Sequence, residues 1–154
     1  MQMNEGIDKM NNEEEQILIH CLYFTASRFA RNITKLAEQT FDFGDVAPSY
    51  LYMIMIVKFH PEITQKELCH KLSIAPSTST RFIDKLEKLK LVTRKADGKQ
   101  TRISLTDQGE ELYNEFRVSL KDLFDSYSKV LGQEFSKDLS KTLHEASNQL
   151  EREL

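Results

Sequence analysis

With 154 residues, 40% of them hydrophobic, the chain has the length of one globular domain, enough to bury roughly 70% of the surface its unfolded form exposes. Its longest apolar stretch, Leu51 to Val57, is far short of the roughly 18 residues a membrane span needs, and the acidic start (Glu5, Asp8, Glu13, Glu14, Glu15) lacks the basic region of a secretion signal, so a cytoplasmic protein with no membrane partner is expected. A net charge of −3 argues against nucleic acid as a partner, yet Thr64 to Thr106 carries ten Lys or Arg against four Asp or Glu, a net +6 that leaves −9 for the remainder.

From Glu13 to about Thr40, Leu18, Cys21, Leu22, Thr25, Phe29, Ile33 and Leu36 recur at three- and four-residue steps, which predicts one long amphipathic helix. The apolar run after Pro48 would also suit a buried strand. Its length, Pro48 at a first helical turn and the stop at His60-Pro61 favour a helix. Thr64-Gln65-Lys66-Glu67 has the form of a capping box, in which the hydroxyl and the carboxylate each satisfy a backbone donor, and a short helix with Leu68 and Leu72 follows. Ser73-Ile74-Ala75 makes a brief turn before Pro76 opens a helix whose apolar face runs through Phe82, Ile83, Leu86 and Leu89. Two short helices joined in this way are a helix-turn-helix.

Asp97-Gly98-Lys99-Gln100 separates two short alternating runs, a strong β-hairpin signal. From Thr106 the helical period returns through Leu112, Phe116, Leu120, Leu123 and Tyr127, with Gly132 as a stop. Ser136 is expected to cap a last helix carrying Leu139, Leu143, Ala146, Leu150 and Leu154, a stripe that a partner chain would cover. The expected fold is mainly α with a small β-hairpin wing (α+β), about six helices, in three parts. These are an N-terminal dimerisation helix over 1–45, a winged helix-turn-helix over 46–106 and C-terminal dimerisation helices over 107–154.

Phosphate-cradling glycine loops, GxSxG and a recognisable Ser, His and Asp motif are all missing, so the chain reads as no enzyme with no cofactor. Two cysteines, Cys21 and Cys69, fit a reducing compartment, and no CxxC or HExxH spacing suggests a metal. Chemistry concentrates instead at the second short helix and the hairpin. Pro76, Ser77, Thr78, Thr80, Arg81 and Lys85 put hydroxyls and basic groups on the helix, where Ser and Thr reach phosphates or base edges and Arg81 pairs bidentately with guanine or clamps a phosphate. A Ser/Thr-rich helix start also serves plain capping; the following Arg81 and the basic hairpin tip the balance to DNA. Lys95, Lys99 and Arg102 suit entry of the hairpin into the adjacent minor groove.

The ordered set TQKELCHKLSIAPSTSTRFIDKLEKLKLVTRKADGKQTRISLTDQG resembles the MarR family of bacterial transcription regulators, in its helix-turn-helix, its wing with Asp followed two places on by a basic residue, and its Leu-Thr-x-x-Gly helix start. The likeness runs from about Glu13 to the end. It implies a homodimer built by the first and last helices, double-stranded DNA with a palindromic operator as partner, and repression relieved by a small aromatic or phenolic effector. It also implies a pocket between dimer lobe and DNA lobe, for which His20, Phe24, Tyr50, Met53, Tyr113 and Phe116 are the candidates, although such residues at helical spacing also serve as plain core. Asp97 would pair with a basic wing residue, Arg102 being one candidate, and hold the hairpin's shape. Ser79 stands where the family usually has an aliphatic residue, and Lys99 where a wing-tip Arg is common. In the family's hydroperoxide regulators a first-helix cysteine is oxidised and DNA is released. Cys21 lies in that region, one place off when counted back from Ser27-Arg28, so it reads either as a redox switch or as a small buried residue, and Cys69 as core. A winged helix that docks only protein is the remaining alternative, against which stands the +6 segment.

Overall fold

The computed structural model describes residues 4–154, with side chains from residue 12 onward; Glu5 and Asp8 of the acidic start lie outside the described side chains. The chain forms two compact units that meet in sequence at Ala37 and Glu38. In the first, the single helix expected from Glu13 begins earlier and is divided into α1 (Asn4–His20) and α2 (Leu22–Thr40). The division is slight. Cys21 N–H still bonds the Ile17 carbonyl and Thr25 N–H the Cys21 carbonyl, both at 3.0 Å. Thr25 Oγ1 also donates to the carbonyls of Cys21 (3.1 Å) and Leu22 (3.2 Å), back-bonding of the kind that bends helices. Ile17, Ile19, Leu22 and Tyr23 are exposed on this unit.

The second unit holds α3 (Pro48–Phe59), β1 (Ile63–Thr64), α4 (Gln65–Leu72), α5 (Pro76–Lys88), β2 (Val92–Asp97), β3 (Gln100–Leu105), α6 (Asp107–Leu131) and α7 (Gln133–Glu151). Helix α3 is buried on several sides through Leu51, Met53, Ile54 and Val57 and packs on α4, α6 and β3, which explains why its sequence is nearly all apolar rather than striped. Leu68 of α4, Ile83 and Leu86 of α5, Ile103 of β3 and Phe116 of α6 complete the core. Phe116 meets Phe41 and Tyr52 in T-shaped contacts with centroids 5.2 and 5.3 Å apart.

The hairpin belongs to a three-stranded antiparallel sheet of order β1-β3-β2, with Ile63 opposite Ile103 and Thr64 opposite Arg102. Sequence reading had no β1. Asp97 opposes Gln100, so the turn is Gly98-Lys99, within the expected Asp97-Gly98-Lys99-Gln100 segment, and positive φ at Gly98 (+60°) but not at Lys99 is the type II′ pattern. The capping box forms: Thr64 Oγ1 accepts from Glu67 N–H, and Glu67 Oε2 accepts from Thr64 N–H at 2.9 Å.

At the foot of the wing, Thr106 caps α6. Its hydroxyl donates to the Lys90 carbonyl (2.6 Å) and accepts from Gly109 N–H (3.1 Å), and its own N–H reaches the Leu91 carbonyl (3.1 Å). A Cβ at Gly109 would overlap that Leu91 carbonyl oxygen, which is the physical reason for glycine in the Leu-Thr-x-x-Gly start. Ser136 is no N-cap. Gly132 (φ +91°) ends α6 and opens α7, and Ser136 sits one turn inside, its Oγ donating to the Gly132 carbonyl at 2.7 Å. The described residues thus contain seven helices where about six were expected.

Candidate nucleic-acid interface

Ala75 in extended conformation followed by Pro76 at the first helical position starts α5 without a side-chain cap, and this leaves its first N–H groups open. Pro76, Ser77 and Arg81 are exposed on its first turns and Thr78 is half-buried. Arg81 makes no ion pair among the described residues. Thr80 is committed elsewhere: its Oγ1 accepts from Gln65 Nε2 (2.8 Å) and donates to the Pro76 carbonyl (3.0 Å), joining α4 to α5. Lys85, half-buried, follows one turn after Arg81. Ser79 faces the core, fully buried, with its hydroxyl unpartnered among the described residues.

On the wing, Lys95 and Lys99 are exposed, Lys99 at the turn itself. Arg102 is tied down by the protein itself. Its Nε donates to Asp97 Oδ2 at 2.6 Å and its Nη1 to the Glu62 carbonyl at 3.1 Å, so Asp97 holds the hairpin and Arg102 ties it to the residue before β1. The same guanidinium keeps the Asp97 carboxyl below the usual aspartate range. Sequence reading missed Arg94. Its Nη1 lies 2.7 Å from Asp84 Oδ1, and Nη2 and Nε donate to Glu87 Oε1 (2.9 Å) and Oε2 (3.2 Å), which lowers the Glu87 carboxyl and bolts β2 to α5. The signal was two acids three residues apart on the helix, facing the first basic residue of the strand that follows.

The effector candidates fall in both units. Met53 and Phe116 are fully buried and Tyr113 nearly so, with Tyr113 edge-on to Phe59 at 5.9 Å, all as core. Tyr50 packs on Phe82 of α5 with centroids 4.4 Å apart. In the first unit, Phe24 is half-buried and the His20 Nε2 pairs with Gln16 Oε1 at 3.2 Å. A cavity of about 370 Å³ lined by Phe124, Tyr127, Ser136, Lys137, Ser140, Lys141 and His144 contains none of them. Cys21 and Cys69 are free thiols; Cys69 is half-buried on α4 rather than core.

A comparison with protein families matches residues 49–103 to the MarR family. The HTH-type transcriptional repressor MdtR of Bacillus subtilis is 28% identical over 92 residues, covering 58% of this chain and 59% of its own length; the chain thus spans under two thirds of that relative. Among solved structures, the repressor CouR bound to a 23-mer DNA duplex superposes with a TM-score of 0.78 at 17% identity, over 85% of this chain and 95% of that one. The PcaV regulator of Streptomyces coelicolor, in complex with its natural ligand, gives 0.77 at 15% identity over 85% and 94%. At these identities the structural likeness concerns the fold, a winged helix-turn-helix. The family match spans α3 through most of the wing, and over this segment the chain is similar to the MarR family.

Proposed function

We propose that the protein is a sequence-specific regulator of transcription that binds duplex DNA as a homodimer, with α5 in the major groove and the wing in the adjacent minor groove. The observation that carries this is the pairing, within the +6 segment, of an uncapped, exposed helix start bearing Ser77 and the unpaired Arg81 with an exposed basic turn at Lys99. Open N–H groups and the helix dipole favour a phosphate at such a start, while Arg81 reads a base or clamps the backbone. Residues 1–45 and 107–154 build the dimer, as the exposed Ile17, Leu22, Leu143 and Leu150 suggest. A palindromic operator with half-sites about 34 Å apart then matches the two-fold axis.

Repression relieved by a small aromatic or phenolic ligand is the mode of control that fits; PcaV is a relative in fold that carries a ligand. The test is selection of bound fragments from the source genome, followed by titration of the best one. Arg81→Ala should cost on the order of 1 to 3 kcal/mol in operator binding with folding intact. Unchanged affinity would remove Arg81 from the interface.

A further inference from the structure

We infer that Arg94 is a positioning residue of the DNA-binding surface: by clamping Asp84 and Glu87 it fixes the wing against α5, and it lends none of its charge to phosphate. The inference rests on the DNA-binding reading above. Arg94 is the third residue of β2, opposite Ile103 on β3, and Asp84 and Glu87 lie one turn apart on the face of α5 that meets this strand. Three donor atoms of one guanidinium reach three carboxylate oxygens, at 2.7, 2.9 and 3.2 Å. Its side chain is only 30% exposed. The cluster of one cation and two carboxylates carries −1, so a phosphate approaching it is repelled.

The arrangement has the geometry of a strut. β2 leaves α5 by a tight return in which Lys90 takes φ +60° and Leu91 N–H bonds the Leu86 carbonyl at 2.9 Å. That return sets where the strand begins. Beyond it, Arg94 is the β2 side chain whose hydrogen bonds and ion pair reach back to the helix. Lysine, a point charge on a flexible stem, cannot hold two carboxylates in this planar fork.

Charge and position make opposite forecasts. The double variant Asp84→Asn/Glu87→Gln makes the surface two charges more positive, so it binds DNA more tightly if charge alone matters. A positioning role predicts that it binds its selected fragment more weakly, by roughly three- to tenfold, the range of one or two charge-assisted hydrogen bonds on a surface. Arg94→Lys should show the same loss although it keeps the charge. The salt dependence should hold its slope in Arg94→Ala, whereas a lost phosphate contact lowers it by about 0.9.

The experiment measures binding of wild type, Arg94→Lys, Arg94→Ala and the double variant to a duplex selected by the wild type from the source genome, and to a random duplex of equal length, across a salt series. Circular dichroism melting accompanies each. Weaker binding to the selected duplex by Arg94→Lys and by the double variant, with melting near wild type and an unaltered slope in Arg94→Ala, supports the role. Tighter binding by the double variant, full affinity in Arg94→Lys or a reduced slope in Arg94→Ala overturns it while leaving the DNA-binding reading in place. Failure of the wild type to select any duplex overturns both.

Discussion

Ser79 and Gly109 show how single positions reveal what a helix packs against. A buried hydroxyl without a partner costs about 1 to 3 kcal/mol relative to one that is satisfied. Ser79 Oγ is in that state in the middle of α5, where alanine is also the better helix former. Ser79→Ala is therefore expected to raise stability by about 1 kcal/mol in urea unfolding, with DNA affinity unchanged, because the side chain faces inward. A clear loss of stability would mean the hydroxyl is bonded. Gly109 is the reverse case: Gly109→Ala drives a methyl into the backbone of Leu91 and should cost on the order of 3 kcal/mol, seen as a lower unfolding midpoint. A variant that unfolds with wild-type energetics would show that α6 yields freely at its first turn. Beforehand, only the family likeness marked these two positions, Ser79 as a usual aliphatic site and Gly109 as part of the Leu-Thr-x-x-Gly start. In the sequence, Ser79 looks like one more hydroxyl of the Ser77–Thr80 run, and the direction it faces is settled only by which turn of α5 meets the core.

At the scale of elements, the wing divides its basic residues between structure and solvent. Arg94 and Arg102 are spent on Asp84, Glu87 and Asp97, whereas Lys99 stands at the turn with no ion pair among the described residues. Lys99→Ala should therefore weaken binding to all duplexes alike and lower the salt slope by about one. An unchanged slope in a salt titration would leave Lys99 merely solvated. Acid acts on the other part. The Asp97 carboxyl is held below its unfolded value, so its pairing with Arg102 contributes fully above about pH 4 and is lost as the pH falls through the lowered value. The wing was legible because strands of six residues with a Gly turn carry a period and a punctuation mark. β1 was not, since two residues have no period, and Ile63-Thr64 reads equally as the approach to the capping box. The cap placed at Ser136 failed for a related reason: Gly132, taken only as a stop, both ends one helix and begins the next.

For the molecule as a whole, the apolar side chains left exposed define its expected assembly. Phe135, Leu143 and Leu150 lie open along α7 and Leu154 just beyond it in the single chain, the last three on the stripe the sequence reserved for a partner. Removing residues 136–154 should give monomers or aggregates that no longer span two half-sites roughly 34 Å apart. Sedimentation of the intact protein as a monomer at micromolar concentration would refute the dimer. The effector candidates were the least legible part, because a buried aromatic on a helix looks the same in sequence whether it lines a pocket or fills a core; Met53, Tyr113 and Phe116 are buried.

The seam at Thr106 and Gly109 carries a mechanical consequence. Helix α6 has 25 residues and so measures about 37 Å, and its first turn is moored to Lys90 and Leu91, the residues through which α5 passes into the wing. It is a boom with its heel at the elements proposed to read DNA. A shift of about 1 Å at the far tip turns that heel by less than about two degrees, so the gearing runs downward, from coarse travel at Leu131 to fine rotation beside α5. With glycine at the heel, no side chain separates the first turn of α6 from the carbonyl of Leu91.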